Sequence, residues 1–360
     1  MEKLKLYTDI FFDEMRACQD PLADAAVESL LHHPECIAMI NSWEVIPSQM
    51  PENFPGPLQL FFQFYLHHPK INYEPHARIA QQFFGKKGGM YLGMLGCYSL
   101  PYCYAFAHGA EVLVRSTRII HQIGERLGET TQFVLALFRP KAFSTQDGAF
   151  LVCAKVRLIH GFSRYFIRKY AKDWDPSFGA PINQEDLLGT NLAFSHIVLR
   201  GLTKMGIPPS LEEHVALLSY WKYIGELLGV DTRAWPENPK EAFELDKLIR
   251  KRQLNTSDAG IHLLRALLSY FDHTLEDPFL RNQMPSIVSF FLGKEASAAL
   301  RLQAIPFISG EVLGQFFQRS GPKTTALPSA YDGIKKEVDH QQRKQFGKVL
   351  QLNLPEVKRS

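Results

Sequence analysis

Residues 155–164 of the chain read KVRLIHGFSR, and they lie in a stretch with no proline between Pro140 and Pro176. At its start, residues 144–147 read STQD, where a hydroxyl residue precedes a carboxylate by three positions, as in a helix capping box. The pattern predicts one long helix over residues 147–172. Apolar residues cover most of its circumference, which is typical of a buried helix. We therefore expect the fold to be built around this segment.

One stripe of the predicted helix also carries polar side chains. Helical spacing places five residues on it: Phe150, Cys153, Arg157, His160 and Arg164. A buried guanidinium without a partner is costly, so both arginines need partners. In one interpretation, acidic residues of neighbouring helices pair with them and His160 is a core histidine. In the other, the stripe binds an anionic guest with an imidazole ligand at its centre, and haem with its two propionates is such a guest.

The composition excludes several classes of protein. The 360 residues are 46% hydrophobic and 21% charged, as in ordinary globular proteins. A net charge of +3, without a basic stripe interleaved with aromatic residues, does not favour a nucleic-acid partner. The five cysteines form no C-x-x-C pair, which predicts reduced thiols in a cytosolic protein. Because C-x-x-C-H is absent as well, any haem would be bound non-covalently.

Two features bear on localisation. Residues 1–6, MEKLKL, do not resemble the apolar region of a signal peptide. The longest uncharged run, residues 88–107, is interrupted by four glycines and Pro101, which a spanning helix would tolerate poorly. We therefore predict a cytoplasmic protein without a transmembrane helix. Contact with a membrane surface is left open.

The remaining segments have helical periodicity between proline and glycine boundaries, and none is a convincing strand. The predicted class is therefore all-α. We predict two short helices within 6–45 and further helices at 58–67, 76–84, 111–138, 183–204, 210–229, 239–253, 257–272, 285–303, 310–319 and 330–350, followed by a frayed end.

Three blocks in fixed order resemble the latex-clearing protein and MpaB-like oxygenase family. The first is the R-x-x-H-x-x-x-R pattern of residues 157–164, and the second is NQEDLLGT at 183–190 with AFS at 193–195. The third, at 126–135, reads RLGETTQFVL. The similarity extends over roughly residues 80–230, and the order of the blocks is more specific than any one of them.

This resemblance implies a helical bundle with a globin-like core around non-covalent haem b. It also implies a dioxygenase that uses molecular oxygen to cleave carbon–carbon double bonds in a prenyl or other unsaturated apolar substrate. The implied organisation is N-terminal helices at 1–80, a haem-binding oxygenase core at 81–230, C-terminal helices of the same domain at 231–325, and a charged tail at 326–360. The oligomeric state is not determined by the sequence.

The resemblance also assigns site residues. His160 would be the proximal iron ligand, and Arg157 and Arg164 would hold the haem or its propionates and orient the imidazole. Thr190 matches a pocket threonine. A distal group would contain Arg126, Glu129 and Thr130.

Glu129 departs from the family pattern. Rubber-cleaving members carry at this position a lysine that can cap the iron, and a carboxylate cannot act as a neutral amine ligand. Glu129 would instead pair with Arg126, act as a base or indicate altered distal chemistry, so rubber itself is doubtful as the substrate. Glu111 lies near a proposed catalytic acid of the family, about one residue out of register.

Two alternatives remain from other functional classes. His121, Glu125 and Glu129 share a helical face and, with His160, could form a non-haem iron site, although the E-x-x-H spacing of di-iron bundles is absent. The second alternative is a haem or lipid carrier that has lost turnover, for which the Glu129 departure is the main support.

Overall fold

Every named element in the described part of the chain is helical, and one isolated β-bridge joins Phe106 and Leu254. The computed structural model describes residues 2–71, 75–115, 122–303, 309–310, 312–315 and 330–356. The all-α prediction is confirmed. Within the described residues, no helix combines the length and apolarity needed to cross a membrane.

The first nine helices lead to the predicted centre of the fold. They are α1 (Glu2–Leu6), α2 (Asp9–Ala17), α3 (Pro21–His32), α4 (Glu35–Ser42), α5 (Gly56–His67), α6 (Pro75–Met94), α7 (Leu100–Tyr104), α8 (Ala107–Val114) and α9 (Ile123–Phe138). The central helix α10 (Gly148–Tyr170) follows. The later helices are α11 (Gln184–Leu192), α12 (Val198–Lys204), α13 (Leu211–Leu227), α14 (Pro239–Gln253), α15 (Asp258–Thr274), α16 (Pro278–Ala299) and α17 (Ala330–Phe346).

Helix α10 has the predicted length, but its cap differs from the prediction. Asp147 is the N-cap and accepts a hydrogen bond from the Ala149 backbone N–H. Ser144 instead donates to the Lys141 carbonyl, because residues 141 and 143 adopt positive φ angles and turn the chain before the helix begins. On the other side, Gly161 lets α10 approach α3, since a Cβ there would lie 2.8 Å from Val27.

Several predicted helix boundaries are wrong. Residues 6–45 contain three helices, α2, α3 and α4, instead of two, and the helix predicted at 285–303 begins at Pro278 as α16. The helix predicted at 76–84 continues through Gly85 to Met94 as α6, because packing on neighbouring helices overrides the weak helix propensity of glycine. Its Gly88 lies against Ile334 of α17, where a Cβ would come within 2.6 Å. The stretch predicted as one helix over 111–138 is divided between two helices. Helix α8 ends at Val114, and helix α9 begins at Ile123.

Two π-helical segments contact each other, Leu95–Ser99 and Ala193–Ile197. The Ser99 hydroxyl donates to the Ala193 carbonyl at 2.7 Å. A π-turn widens the helix locally and is frequent at functional sites. The second segment places Phe194 beside the ring of Trp221, at a centroid distance of 5.1 Å.

The end of the chain returns to the body of the protein. Helix α17 ends near Gly347, whose φ is +71°, and Leu350 and Leu354 are buried. The prediction of a frayed end is therefore wrong for residues 350–355. Residues 316–329 and 357–360 lie outside the described residues, and the proposed four-part division of the chain stays a prediction.

Candidate functional site

Two adjoining cavities meet at His160. The large chamber has a volume of about 550 Å³ and the small chamber about 140 Å³. The two chambers share five of their lining residues: Arg126, Ile159, His160, Leu187 and Thr190. The large volume is within the usual range of roughly 300–1,000 Å³ for small-molecule and cofactor sites. Helices α9, α10 and α11 thus enclose a space around the predicted iron ligand.

His160 presents an imidazole without a protein partner to these chambers. Its Nδ1 atom is buried and has no hydrogen-bond partner among the described residues. Burial, and then the positive charges of Arg164 and Arg126, lower the pKa of His160 to about 4. The ring is therefore neutral at pH 7 and has a lone pair available. A buried polar atom without a partner is costly, so its retention in a residue that lines both chambers makes His160 a candidate ligand-binding residue.

Arg157 is directed away from the chambers, towards α3. Its Nε and Nη2 atoms donate to the two oxygens of Asp20 at 2.6 and 2.9 Å. This bidentate geometry is the strongest that a guanidinium forms with a carboxylate. Gly229 closes the pair from the opposite side, because a Cβ there would lie 2.6 Å from the Arg157 Nε. Asp20 thus occupies two of the three guanidinium nitrogens of Arg157.

Arg164 has a similar environment about two turns further along α10. Its Nε donates to Asp24 at 2.6 Å, and Asp24 also accepts from Arg168 at 3.1 Å. One nitrogen of each buried guanidinium, Nη1 of Arg157 and Nη2 of Arg164, has no hydrogen-bond partner. Neither arginine lines a chamber. The interpretation in which neighbouring acids pair with both arginines is the one that the geometry supports, and direct contact with haem is not.

The predicted distal group is assembled opposite His160. Arg126 donates to Glu129 at 2.8 Å, and Glu129 is buried. The Thr130 hydroxyl donates to the Arg126 carbonyl at 2.8 Å. All three residues line the small chamber together with His160 and Thr190. Its other walls are largely apolar and include the rings of Phe133, Phe194 and Trp221.

Two acidic residues at the large chamber were not predicted as site residues. Glu185 and Asp186 lie in the first turn of α11 and line the large chamber. Burial raises the pKa of Asp186 to about 7, with Glu185 adding to the shift and Arg16 opposing it. Two adjacent acids in the NQEDLLGT block are a usable signal, but the helix dipole also favours acids in a first turn, so the pattern alone does not single them out.

The non-haem alternative is not supported by the described residues. They contain no group of three or more histidine, cysteine, aspartate or glutamate side chains that could hold a metal ion. Glu125 lines neither chamber, and His121 lies outside the described residues. Glu111 pairs with Arg115 in a neighbouring surface pocket, separate from the small chamber.

Known proteins share this architecture. The family described as "ER-bound oxygenase mpaB/B'/Rubber oxygenase, catalytic domain" matches residues 83–317. A rubber oxygenase from Streptomyces sp. (strain K30) is 21% identical over 300 residues, which cover 80% of this chain and 71% of the relative. The solved structure of latex clearing protein LCP in the closed state has a TM-score of 0.68 at 19% identity, covering 96% of this chain and 93% of that chain.

The match to the family extends over most of the chain and includes all three blocks that carried the resemblance. The structural similarity to latex clearing protein confirms the fold at low sequence identity. The predicted enzyme class, an oxidoreductase of the dioxygenase type, is confirmed as well. The chain belongs to the ER-bound oxygenase mpaB/B'/rubber oxygenase family.

Proposed function

We propose that the chain is a haem b-dependent dioxygenase that cleaves carbon–carbon double bonds in a prenyl or other unsaturated apolar substrate. The observation that carries the proposal is the neutral, partnerless imidazole of His160 at the junction of two chambers. An axial haem ligand requires such a nitrogen beside a cavity of suitable size. No other described histidine lines either chamber.

The residues around the chambers fit haem, but the arginines that would bind its propionates differ from those that the resemblance implied. His160 would bind the iron, and Thr190 would lie beside it. Arg157 and Arg164 are paired with aspartates, so they would act indirectly by fixing α10 on α3. Arg115 and Arg126 also pair with acids, Glu111 and Glu129, but unlike Arg157 and Arg164 they line the large chamber, and we assign the propionates to them.

When bound, haem would supply a ferrous iron with an open position at which dioxygen is activated. The side chains of Phe133, Phe194 and Trp221 would exclude water and hold an apolar chain. Arg126 fixes the Glu129 carboxylate through an ion pair of 2.8 Å. Glu129 could accept a proton from the substrate and return it, which is a general base role. Thr130 would contribute a hydroxyl on the same wall.

The test is a pyridine-haemochrome spectrum of the purified protein, followed by oxygen uptake with a prenyl substrate. Equimolar haem b and substrate-dependent uptake would support the proposal. Iron without porphyrin would overturn it in favour of the non-haem alternative. Haem without oxygen uptake across unsaturated apolar substrates would identify a carrier, the alternative to which the Glu129 departure points.

A further inference from the structure

The chambers have a wall that does not come from the helical core. Leu352 lines the small chamber, and Asn353 and Pro355 line the large one. These residues belong to a segment without regular secondary structure, residues 350–355, which we name the C-terminal strap. The family match ends at residue 317, so the strap lies outside it.

One end of the strap is attached to the helix that carries Glu129. The side chain of Gln342 accepts a hydrogen bond from the Leu350 backbone N–H and donates one to the Gly128 carbonyl, each at 3.0 Å. Leu350 packs directly on Gly128, where a Cβ would come within 2.4 Å of its side chain. A Cβ at residue 128 would therefore displace the Leu350 side chain from this position.

The other end is attached to α4. Asn41 donates through Nδ2 to the Leu354 carbonyl at 3.1 Å and accepts at Oδ1 from the Leu354 backbone N–H at 2.8 Å. Lys155 of α10 donates to the Asn41 carbonyl at 3.4 Å, so this attachment is connected to the helix of His160. Leu354 is 2% exposed, so its side chain reinforces the attachment.

The middle of the strap is held weakly. No hydrogen bond to residues 351–353 is present among the described residues, and Gln351 and Asn353 are exposed. The inward contact in this part is made by Leu352, which is half-buried against the small chamber. A chain segment held at two points opens with a small free-energy change compared with a helix of the core.

From these contacts we infer that the C-terminal strap is a specificity-determining wall. Leu352 limits the width of the substrate in the small chamber, and release of the strap at Asn41 opens the site to apolar molecules. The role of Leu352 in selecting a substrate rests on the proposed function. The attachment and its release do not.

The first experiment tests the attachment without using turnover. Asn41→Ala removes both side-chain hydrogen bonds to Leu354, and Asn282→Ala, an exposed asparagine that lines neither chamber, is the matched control. We expect amide hydrogen exchange at Leu350 and Leu354, the strap residues whose backbone N–H groups are hydrogen-bonded, to become at least about tenfold faster in Asn41→Ala. We also expect faster entry of the apolar fluorophore anilinonaphthalene sulfonate, with the control unchanged. Unchanged exchange, or faster exchange with unchanged entry, would overturn the inference.

The second experiment tests selectivity in the small chamber. Leu352→Ala removes part of the strap wall, and Leu228→Ala removes the same group from the helical side of that chamber. We expect each variant to raise kcat/KM for a branched substrate relative to a linear one by about tenfold. If Leu228→Ala shifts the ratio and Leu352→Ala does not, the strap is not the wall and the inference fails. If neither variant turns over a substrate while Asn41→Ala frees the strap, the proposed function fails and the attachment stands.

Discussion

The two sides of α10 differ in whether neighbouring side chains pair with their buried polar groups. On the side facing α3, Arg157 and Arg164 each meet an aspartate at 2.6 Å, and Gly229 closes the first pair. On the side facing the chambers, His160 has a buried nitrogen without any partner. In a helix with 3.6 residues per turn, Arg157 and His160 are only about 60° apart around the axis. A rotation of that size separates a bidentate ion pair from an unsatisfied imidazole.

This contrast distinguishes structural from functional polar residues. In a buried ion pair with good geometry, each charge is compensated by the other. Removal of one partner leaves an uncompensated buried charge. A buried imidazole nitrogen beside a cavity has no such compensating group, so its retention indicates a ligand. Substitutions on the α3 side of α10 should therefore change stability, and substitutions at the chambers should change ligand binding or turnover.

The largest effect on folding is expected from Arg157→Met. Asp20 is 3% exposed and would lose its guanidinium partner, which costs about 3–5 kcal/mol of unfolding free energy. The measurement is the urea denaturation midpoint. Adding Asp20→Asn should recover much of the loss, because the pair is then removed together and asparagine still caps α3. Loss of haem with unchanged stability would show that Arg157 serves the haem directly.

His160→Ala should have the complementary phenotype. We expect haem affinity to fall by at least about a hundredfold, since loss of an axial ligand should cost more than loss of the residues that support one. The unfolding free energy of the haem-free protein should change by less than about 1 kcal/mol, because no hydrogen bond of Nδ1 is lost. Haem titration followed at the Soret band measures the first quantity. Added imidazole should restore the band, and a variant that keeps full haem affinity would refute the ligand assignment.

Glu129→Gln tests the distal wall opposite His160. The substitution keeps the shape of the side chain and removes its charge, so we expect kcat to fall by about tenfold or more with haem content unchanged. Glu125→Gln, one turn earlier on α9 and outside both chambers, is the matched control. If Glu129→Gln lowers stability and leaves kcat intact, the ion pair with Arg126 is structural.

The smallest effect is a difference in acid sensitivity of the haem-free protein. Burial lowers the pKa of His160 from 6.5 to about 4, so the unfolded chain binds more protons than the folded one between those values. The unfolding free energy should therefore fall as pH is lowered from 6.5 towards 4. Denaturant midpoints across this range should fall less steeply in His160→Ala than in the wild type. Subtracting the two curves cancels His196 and His214, whose pKa values are also lowered by burial, and parallel curves would contradict the prediction.

Local signals predicted local structure well. The helix predicted at 210–229 opens with a capping box of Ser210 and Glu213 in which both hydrogen bonds are present, because such a box depends on four consecutive residues. The proline-free segment forms α10 for a similar reason. Boundaries set by neighbours were missed, such as the extension of α6 through Gly85, because helix packing outweighs glycine propensity.

The candidate site was predictable in part. His160, Arg126, Glu129, Thr130 and Thr190 were named from sequence and line one chamber in the structure. Glu185 and Asp186 line the large chamber but were missed as site residues, because acids in the first turn of a helix are already favoured by the helix dipole. The C-terminal strap was missed because its composition is that of a frayed end, and its contacts lie about three hundred residues away in sequence, at Asn41.

The sequence by itself determined the helical class, the central helix and the residues that face inward from it, because helical periodicity and capping depend on neighbours in the chain. Only the tertiary structure decided which inward residues have partners. Asp20 and Asp24 reach the arginines from α3, whereas no side chain reaches Nδ1 of His160. Pairing depends on distances of a few ångströms between segments remote in sequence, and a linear pattern does not contain those distances.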